Sequence, residues 1–230
     1  MEYRNELKYI CSEQDIRIMQ ARISSVMQHD FHQTSESGYH IRSIYFDNYE
    51  NRCMYENEAG IDMRKKFRIR IYDCRDDFIR LEVKYKVHGM TKKEYAPLTL
   101  QQFHDIMDDK IENVFRQNNS KAVNMLYLSR MTEYMRPKVL VAYDRDAWIC
   151  TNGNVRVTFD RNIVSSGAMG SIFEKKIPSI PVLDVGKHIL EIKYDEYLPD
   201  YIVQALGMQG LRQTAFSKYF LCRTALSSYL

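Results

Sequence analysis

The sequence predicts an α+β protein with about eight strands, mostly antiparallel, and helices on the outside. Three observations carry this. Glutamate–aliphatic–lysine recurs in strand-like runs at Glu6-Leu7-Lys8, Glu82-Val83-Lys84 and Glu191-Ile192-Lys193, and Arg68-Ile69-Arg70 repeats the spacing with two cations. Turn chemistry separates pairs of alternating runs, at Asp73–Asp76 and at Asn152-Gly153, the second a strong hairpin signal. Helical periodicity falls in separate blocks. With 230 residues, 45% of them hydrophobic, the chain can bury a real core as a single domain spanning 1–230.

Each element has a local reason. Residues 3–11 alternate as a strand, and Ser12 with Asp15 resembles an N-cap with an acid three positions on. A helix follows to about residue 28, with Ile16, Met19, Ile23 and Val26 on one face. Strands are expected at 40–47, 63–72, 77–87 and 92–98, the last ending near Pro97. From 99 to 133 the pattern is helical, as two helices broken near Asn118-Asn119. Strands at 136–149 and 155–163 form a second hairpin, and 188–194 is the last strand. Between them, 164–187 carries Gly167, Gly170, Pro178, Pro181 and Gly186 and reads as a loop, long enough to suggest a function. Two helices close the chain, one after Pro199 and one over 216–229.

In a strand, residues two apart share a face. Phe67, Ile69 and Ile71 therefore oppose Lys66, Arg68 and Arg70. Ile79, Leu81, Val83, Tyr85 and Val87 oppose Arg80, Glu82, Lys84 and Lys86. Val157 and Phe159 oppose Arg156 and Thr158, and Leu190 and Ile192 oppose Glu191 and Lys193. At 138–145 the parity clashes, since Tyr143 and Arg145 match Val139 and Val141, so a twist or bulge is expected there. A sheet with one solvated face shows similar alternation. Here, however, cations recur with few neutral polar residues between them. Arg68 and Arg70, about 7 Å apart, would repel by roughly 2 kcal/mol at an effective dielectric of 20. Rolled up, such a face calls for an anionic ligand.

Other chemistry is poorly represented. The five cysteines are dispersed without a CxxC pair, which argues against zinc or a disulfide framework and for a reducing cytoplasm. The first ten residues lack the apolar core of a signal peptide, and no run of about 18 apolar residues encodes a membrane span. No Walker A, GxGxxG or nucleophile elbow occurs. His29, His32 and His40 do not make a helical zinc pair, and His88, just past Lys84 and Lys86, is a candidate phosphate contact only by position. A net charge of +3 is modest for nucleic-acid binding, and none is expected.

The ordered strings ELKY, IRSIYFDN, RKKFRIRIY, RLEVKYK, RPKVLVAYDRDAW, VRVTFD, LEIKY and FSKY resemble the catalytic domain of the VTC (vacuolar transporter chaperone) polyphosphate polymerases. That domain belongs to the triphosphate tunnel metalloenzyme superfamily, beside CYTH-type triphosphatases and adenylyl cyclases. The resemblance spans about residues 3–221. It implies a closed antiparallel barrel of about eight strands, lined by basic and acidic side chains.

By the same resemblance, Lys8, Arg68, Arg70, Lys84, Arg145, Arg156, Lys193 and Lys218 would bind phosphates and act in catalysis. Tyr143, Ser217, Lys86 and Arg42 would contact substrate. Glu191 would hold a divalent ion, Mn²⁺ or Mg²⁺, with Glu6 assisting; Glu82 is better read as neutralising its neighbours. The first motif departs from the two-glutamate ExExK of the CYTH triphosphatases, reading Arg4-x-Glu6-x-Lys8. That favours polymerisation over hydrolysis. The resemblance thus implies a phosphotransferase making polyphosphate from ATP. An inorganic or nucleoside triphosphate hydrolase and a non-catalytic polyphosphate-binding module are the alternatives. With neither SPX domain nor membrane anchor expected, it resembles a free-standing, prokaryotic-type relative.

Overall fold

In a computed structural model, which describes residues 4–31, 33, 38–88 and 90–228, the predicted strands join one curled antiparallel sheet. The chain runs β1 (Asn5–Ser12), α1 (Glu13–Ile23), β2 (Gln28–His29), β3 (Tyr39–Asp47), α2 (Arg52–Glu58), β4 (Arg64–Tyr72), β5 (Ile79–Val87) and β6 (Met90–Leu98). It continues through α3 (Leu100–Met107), α4 (Ile111–Gln117), α5 (Lys121–Glu133), β7 (Arg136–Cys150), β8 (Val155–Ser166), β9 (Ile180–Pro181), β10 (Lys187–Tyr194), α6 (Asp200–Leu206) and α7 (Lys218–Ser227). Eight strands follow the order β1-β10-β8-β7-β3-β4-β5-β6, while the two-residue β2 and β9 pair with β7 and β8. Of the histidines considered for zinc, His32 lies outside the described residues.

The alternation decides what the two faces do. Phe67, Ile69 and Leu81 are fully buried on the outer face, in a core shared with Phe103, Val114 and Leu126 of α3, α4 and α5. A second core joins Ile16, Met19 and Ile23 of α1 and Ile202 of α6 to Val157, Phe159, Leu190 and Ile192. The N-terminus of α1 carries the expected capping box, Ser12 and Asp15 each accepting from the other's backbone N–H.

Closure departs from the expected barrel. Among the described residues, the edges at β1 and β6 are joined by an isolated bridge, with Arg4 and Thr91 exchanging N–H···O bonds of 3.3 Å. Further along, the free edge of β1 is taken by the chain before α7: Tyr9 bridges Gln213, and Thr214 N–H donates to the Lys8 carbonyl at 2.9 Å. The sheet is a curled, partly open barrel, because β1 exchanges one partner for another along its length.

Other departures are local. The helical run after Pro97 holds three helices, because besides the break at Asn118 the chain turns at Asp109, whose φ is 68°. Helix α2 was not expected between the strands it joins. β8 runs on to Ser166, and part of the expected loop forms β9. The ladder between β7 and β8 shifts register between Ala142 and Asp144, the expected irregularity. Against β3, however, Val139, Val141, Tyr143 and Arg145 pair regularly and share the inner face. The clash resolves because α7 packs on β7 and β8 there and puts Tyr219 and Cys222 in a core with Val139 and Val141.

Gly38 leads into β3 with φ +94°, and a Cβ there would lie 2.1 Å from the Arg145 carbonyl oxygen. Gly38→Ala should therefore destabilise the fold by more than about 1 kcal/mol, seen as a lower urea midpoint. A midpoint equal to wild type would contradict this close approach.

Candidate functional site

Register brings the charged sides of the strands together. Lys8 pairs with Glu191 and Glu6 with Lys193 across β1 and β10. Arg68 pairs with Tyr45 on β3 and with Glu82 on β5, and Lys84 pairs with Lys93 on β6. Curling turns this face into the wall of a cavity of about 450 Å³. The segment 213–217 and the first turn of α7 complete it. Among the described residues, eleven lysines and arginines line it against two glutamates.

Of the residues singled out from sequence, Lys8, Arg68, Arg70, Lys84, Lys86, Arg145, Lys193, Lys218, Tyr143, Ser217, Glu6 and Glu191 all stand on this wall. Arg42 does not. It alternates with the inward residues Ile41 and Ser43, and its guanidinium reaches the carbonyls of Ile172, Glu174 and Lys175 at 2.8, 2.5 and 3.2 Å. Arg42 thus clamps a turn on the outer side. Arg156 pairs with Lys193 but turns its guanidinium to Asp30 at 2.7 Å and the Tyr39 hydroxyl at 3.0 Å, away from the cavity wall. Exposed His88 lies 3.4 Å from Asp62 and does not line the cavity. Arg64 and Lys93, which sequence reasoning left out, and Lys66, which it set on the charged face but not among the site residues, are on the wall. Their signal was present, since Arg64 and Lys66 share the parity of Arg68 and Arg70.

Four carboxylates organise the cations. Glu82 accepts from Arg68 Nε at 3.0 Å and lies 3.8 Å from Arg70 Nη1. Burial opposes its ionisation, but these two guanidiniums hold it well below the usual carboxylate range. Its role is to neutralise the arginines. Asp160 accepts a bidentate pair from Arg145, at 2.6 and 2.8 Å, and lies 2.5 Å from Lys218 Nζ. Burial pushes Asp160 up, and Arg145 and Lys218 bring it down to about 2. Arg70 also donates to the Ser43 and Tyr143 hydroxyls, at 3.2 and 3.1 Å, so its fork is fixed from three sides.

Glu6 and Glu191 face the cavity itself. Glu6 lies 3.0 Å from Lys84 Nζ, 3.4 Å from Lys8 and 3.5 Å from Lys193. Burial and the adjacent Glu191 raise its pKa, yet Lys84 and Lys8 hold it at about 2. Glu191 contacts Lys193 and lies 3.7 Å from Arg145 and 3.8 Å from Lys218. Its ionised form wins over burial through Lys193 and Lys8. No group of three or more His, Cys, Asp or Glu side chains placed to hold a metal occurs among the described residues. Glu6 and Glu191, adjacent oxygen donors already paired with lysines, are the two carboxylates on the wall to which a hard cation could turn.

The lysines bear the cost of the crowding. Burial, then Arg64 and Lys84, pushes Lys66 down to about 7. Burial brings Lys193 to about 8 although Glu191 and Glu6 oppose it. Lys93 is driven well below the ordinary lysine value, again chiefly by burial. Lys218 moves the other way, because Asp160 and Glu191 outweigh its burial. The wall is built to receive negative charge.

Fold and site together define a curled-sheet α+β protein whose inner face lines a partly open cationic cavity. A family model described as the VTC domain matches residues 3–227, and the chain belongs to that family. No curated protein matches the sequence. Among solved structures, the PH1819 protein of Pyrococcus horikoshii superposes with a TM-score of 0.51 at 13% identity, covering 98% of this chain and 99% of that one. A candidate adenylate cyclase of Vibrio parahaemolyticus gives 0.50 at 12% identity, covering 96% and 97%. These likenesses show a shared fold. No helix among the described residues is long and apolar enough to cross a membrane.

A bound polyanion would stabilise the charged forms of Lys66 and Lys193 and return both toward 10.5, the ordinary lysine value. Binding should therefore take up protons from about pH 7 upward, and affinity should fall as pH rises through that window. Titration calorimetry with triphosphate at about pH 8, in buffers of different ionisation heat, reads the uptake. It should shrink in Lys66→Met, and no wild-type uptake would contradict the assignment.

Proposed function

We propose that this protein is a metal-dependent polyphosphate polymerase, transferring the terminal phosphoryl of ATP onto a growing phosphate chain. The observation that carries this is the wall itself, eleven cations against two carboxylates around about 450 Å³. Phosphoryl transfer asks a protein for alignment and charge neutralisation more than for covalent help. Guanidinium forks and ammonium groups converging on one volume supply both.

In the transfer, a terminal oxygen of the chain attacks the γ-phosphorus, the bond to the β–γ bridging oxygen breaks, and ADP leaves. Arg68, Arg70 and Arg145, held by Glu82 and Asp160, present fixed donors to the phosphates. Lys8, Lys84, Lys193 and Lys218 neutralise the oxygens. Tyr143 and Ser217 add hydroxyls at the wall. Glu191 and Glu6 would hold the Mg²⁺ or Mn²⁺ ion, which when bound neutralises phosphate oxygens.

The first position of the N-terminal motif supports polymerisation over hydrolysis. Arg4 stands where the two-glutamate motif has its first acid, and it is tied to Asp195 at 2.7 Å. It adds no third carboxylate to the site.

Incubation with ATP and Mn²⁺ should yield long, acid-labile phosphate chains. Release of orthophosphate alone would make the protein a triphosphatase. Metal-independent binding without any product would make it a polyphosphate-binding module.

Glu191→Gln should separate binding from turnover. It removes a carboxylate from a cationic wall, so polyphosphate should bind at least as tightly, while metal-dependent turnover drops by orders of magnitude. Turnover at the wild-type rate would shift the metal assignment to Glu6. Arg70→Ala should weaken binding as well, by roughly 1.5–3 kcal/mol, the range for a hydrogen bond to a charged group.

A further inference from the structure

We infer that Asp47, which is not on the cavity wall, is a positioning residue for the site: through Tyr219 it fixes the first turn of α7, and so sets where Lys218 and Ser217 stand. The inference uses the proposed function only for the ligand in its test.

Asp47 ends β3 and is fully buried. Its carboxylate accepts from the backbone N–H groups of Asn48, Cys53 and Met54, at 2.9, 2.8 and 3.1 Å. These bonds tie β3 to the start of α2. The fourth donor is of another kind: the Tyr219 hydroxyl of α7, 172 residues further along the chain. A second tie runs the same way, from Arg223 Nη2 to Asn51 Oδ1 at 2.7 Å. The corner between β3 and α2 is thus a polar seat for α7.

Further along, α7 is held by apolar packing, by Ser165 Oγ donating to the Cys222 carbonyl at 2.7 Å and by the Arg223–Asn51 bond. The Tyr219–Asp47 bond is the directional tie to the β3–α2 corner in the first turn, next to Lys218 and Ser217. Lys218, the residue before Tyr219, reaches Asp160 at 2.5 Å. Ser217 caps the helix, accepting from Phe220 N–H at 3.3 Å, and accepts from Lys66 Nζ at 3.2 Å. The Tyr219 ring lies 5.3 Å below Lys66 Nζ and 5.4 Å from the Tyr45 ring, whose hydroxyl accepts from Arg68 at 3.0 Å. A small turn of α7 would displace Lys218, Ser217 and the support under Lys66 together.

The sign of the effect separates positioning from plain electrostatics. Asp47 is a negative charge close to an anion site. If charge alone mattered, Asp47→Asn would tighten triphosphate binding. Positioning predicts the reverse, a loss of roughly tenfold, as for one charge-assisted contact. Tyr219→Phe keeps the ring and removes one oxygen, so it folds even if Asp47→Asn does not. It should give a similar loss.

The test measures inorganic triphosphate affinity by titration calorimetry, and thermal unfolding without ligand, for Asp47→Asn, Tyr219→Phe, Lys218→Met and the Tyr219→Phe/Lys218→Met double variant. The expected result is that the Tyr219→Phe loss shrinks in the Lys218→Met background, the share carried by Ser217 and Lys66 remaining. In unfolding, the two substitutions should couple rather than add. Tighter binding by Asp47→Asn, equal losses with and without Lys218, or a lowered unfolding midpoint with unchanged affinity would each overturn the inference. If wild type binds no triphosphate, the functional reading fails. The unfolding cycle then decides alone, with coupling sustaining the positioning role and additivity overturning it.

Discussion

The buried ion pairs of Glu82 and Asp160 are the constraint on which the cavity depends. Among the described residues eleven cations line one cavity, and carboxylates behind them offset part of their mutual repulsion. Glu82 serves Arg68 and Arg70 from β5, and Asp160 serves Arg145 and Lys218 from β8. Each carboxylate spends its oxygens on its own partners, and the hydroxyls of Tyr45, Ser43 and Tyr143 hold the other edges of Arg68 and Arg70. Taking one partner from such a buried pair typically costs about 3–5 kcal/mol, because the other charge is stranded. These acids therefore hold the wall in shape before any substrate arrives.

The same constraint explains the open seam. A barrel closed by a continuous ladder would fix β1 against β6 along their whole length. Here one bridge, Arg4 with Thr91, ties the edges, while the segment before α7 takes over the rest of the β1 edge and adds Gln213 to Ser217 to the wall. Across the lumen, the Glu6–Lys84 ion pair links β1 to β5. On the proposed function, a phosphate chain entering this space would compete with Glu6 for Lys84, so that ligand binding and the contacts across the seam would draw on one ammonium group.

Most of the inner wall was legible in the sequence, because period-two alternation in Arg64–Tyr72, Ile79–Val87 and Lys187–Tyr194 follows from backbone geometry alone. Arg42 was misread for want of the same rule: its neighbours Ile41 and Ser43 pair with the inner residues Tyr143 and Val141, so Arg42 had to face outward. Arg156 is different. Its parity is right, and only the approach of Asp30, from another segment, draws the guanidinium aside. No local pattern could show that. The parity clash at Val139 and Val141 was visible, but its resolution lay in α7 covering the inner face, a long-range packing event. The short α2 gave no periodic signal, since its placement rests on Asp47 accepting its first N–H groups.

Arginine and lysine divide the work on this wall according to their chemistry. Arg68, Arg70 and Arg145 keep their charge at any accessible pH, and their planar forks bind carboxylates with directional bonds, so they serve as fixed framework. Lys66, Lys93 and Lys193 have compact charges on flexible stems, and burial holds all three below the ordinary lysine value. Around pH 7 Lys66 is therefore partly neutral, which limits the self-repulsion of the wall. On the proposed function, an arriving polyanion would draw a proton back onto Lys66 and meet the full charge only once inside. Stability without ligand and affinity for a highly charged ligand pull against each other in any such cavity, and lowering the lysines' pKa through burial eases that tension without adding carboxylates, which would repel an anionic ligand.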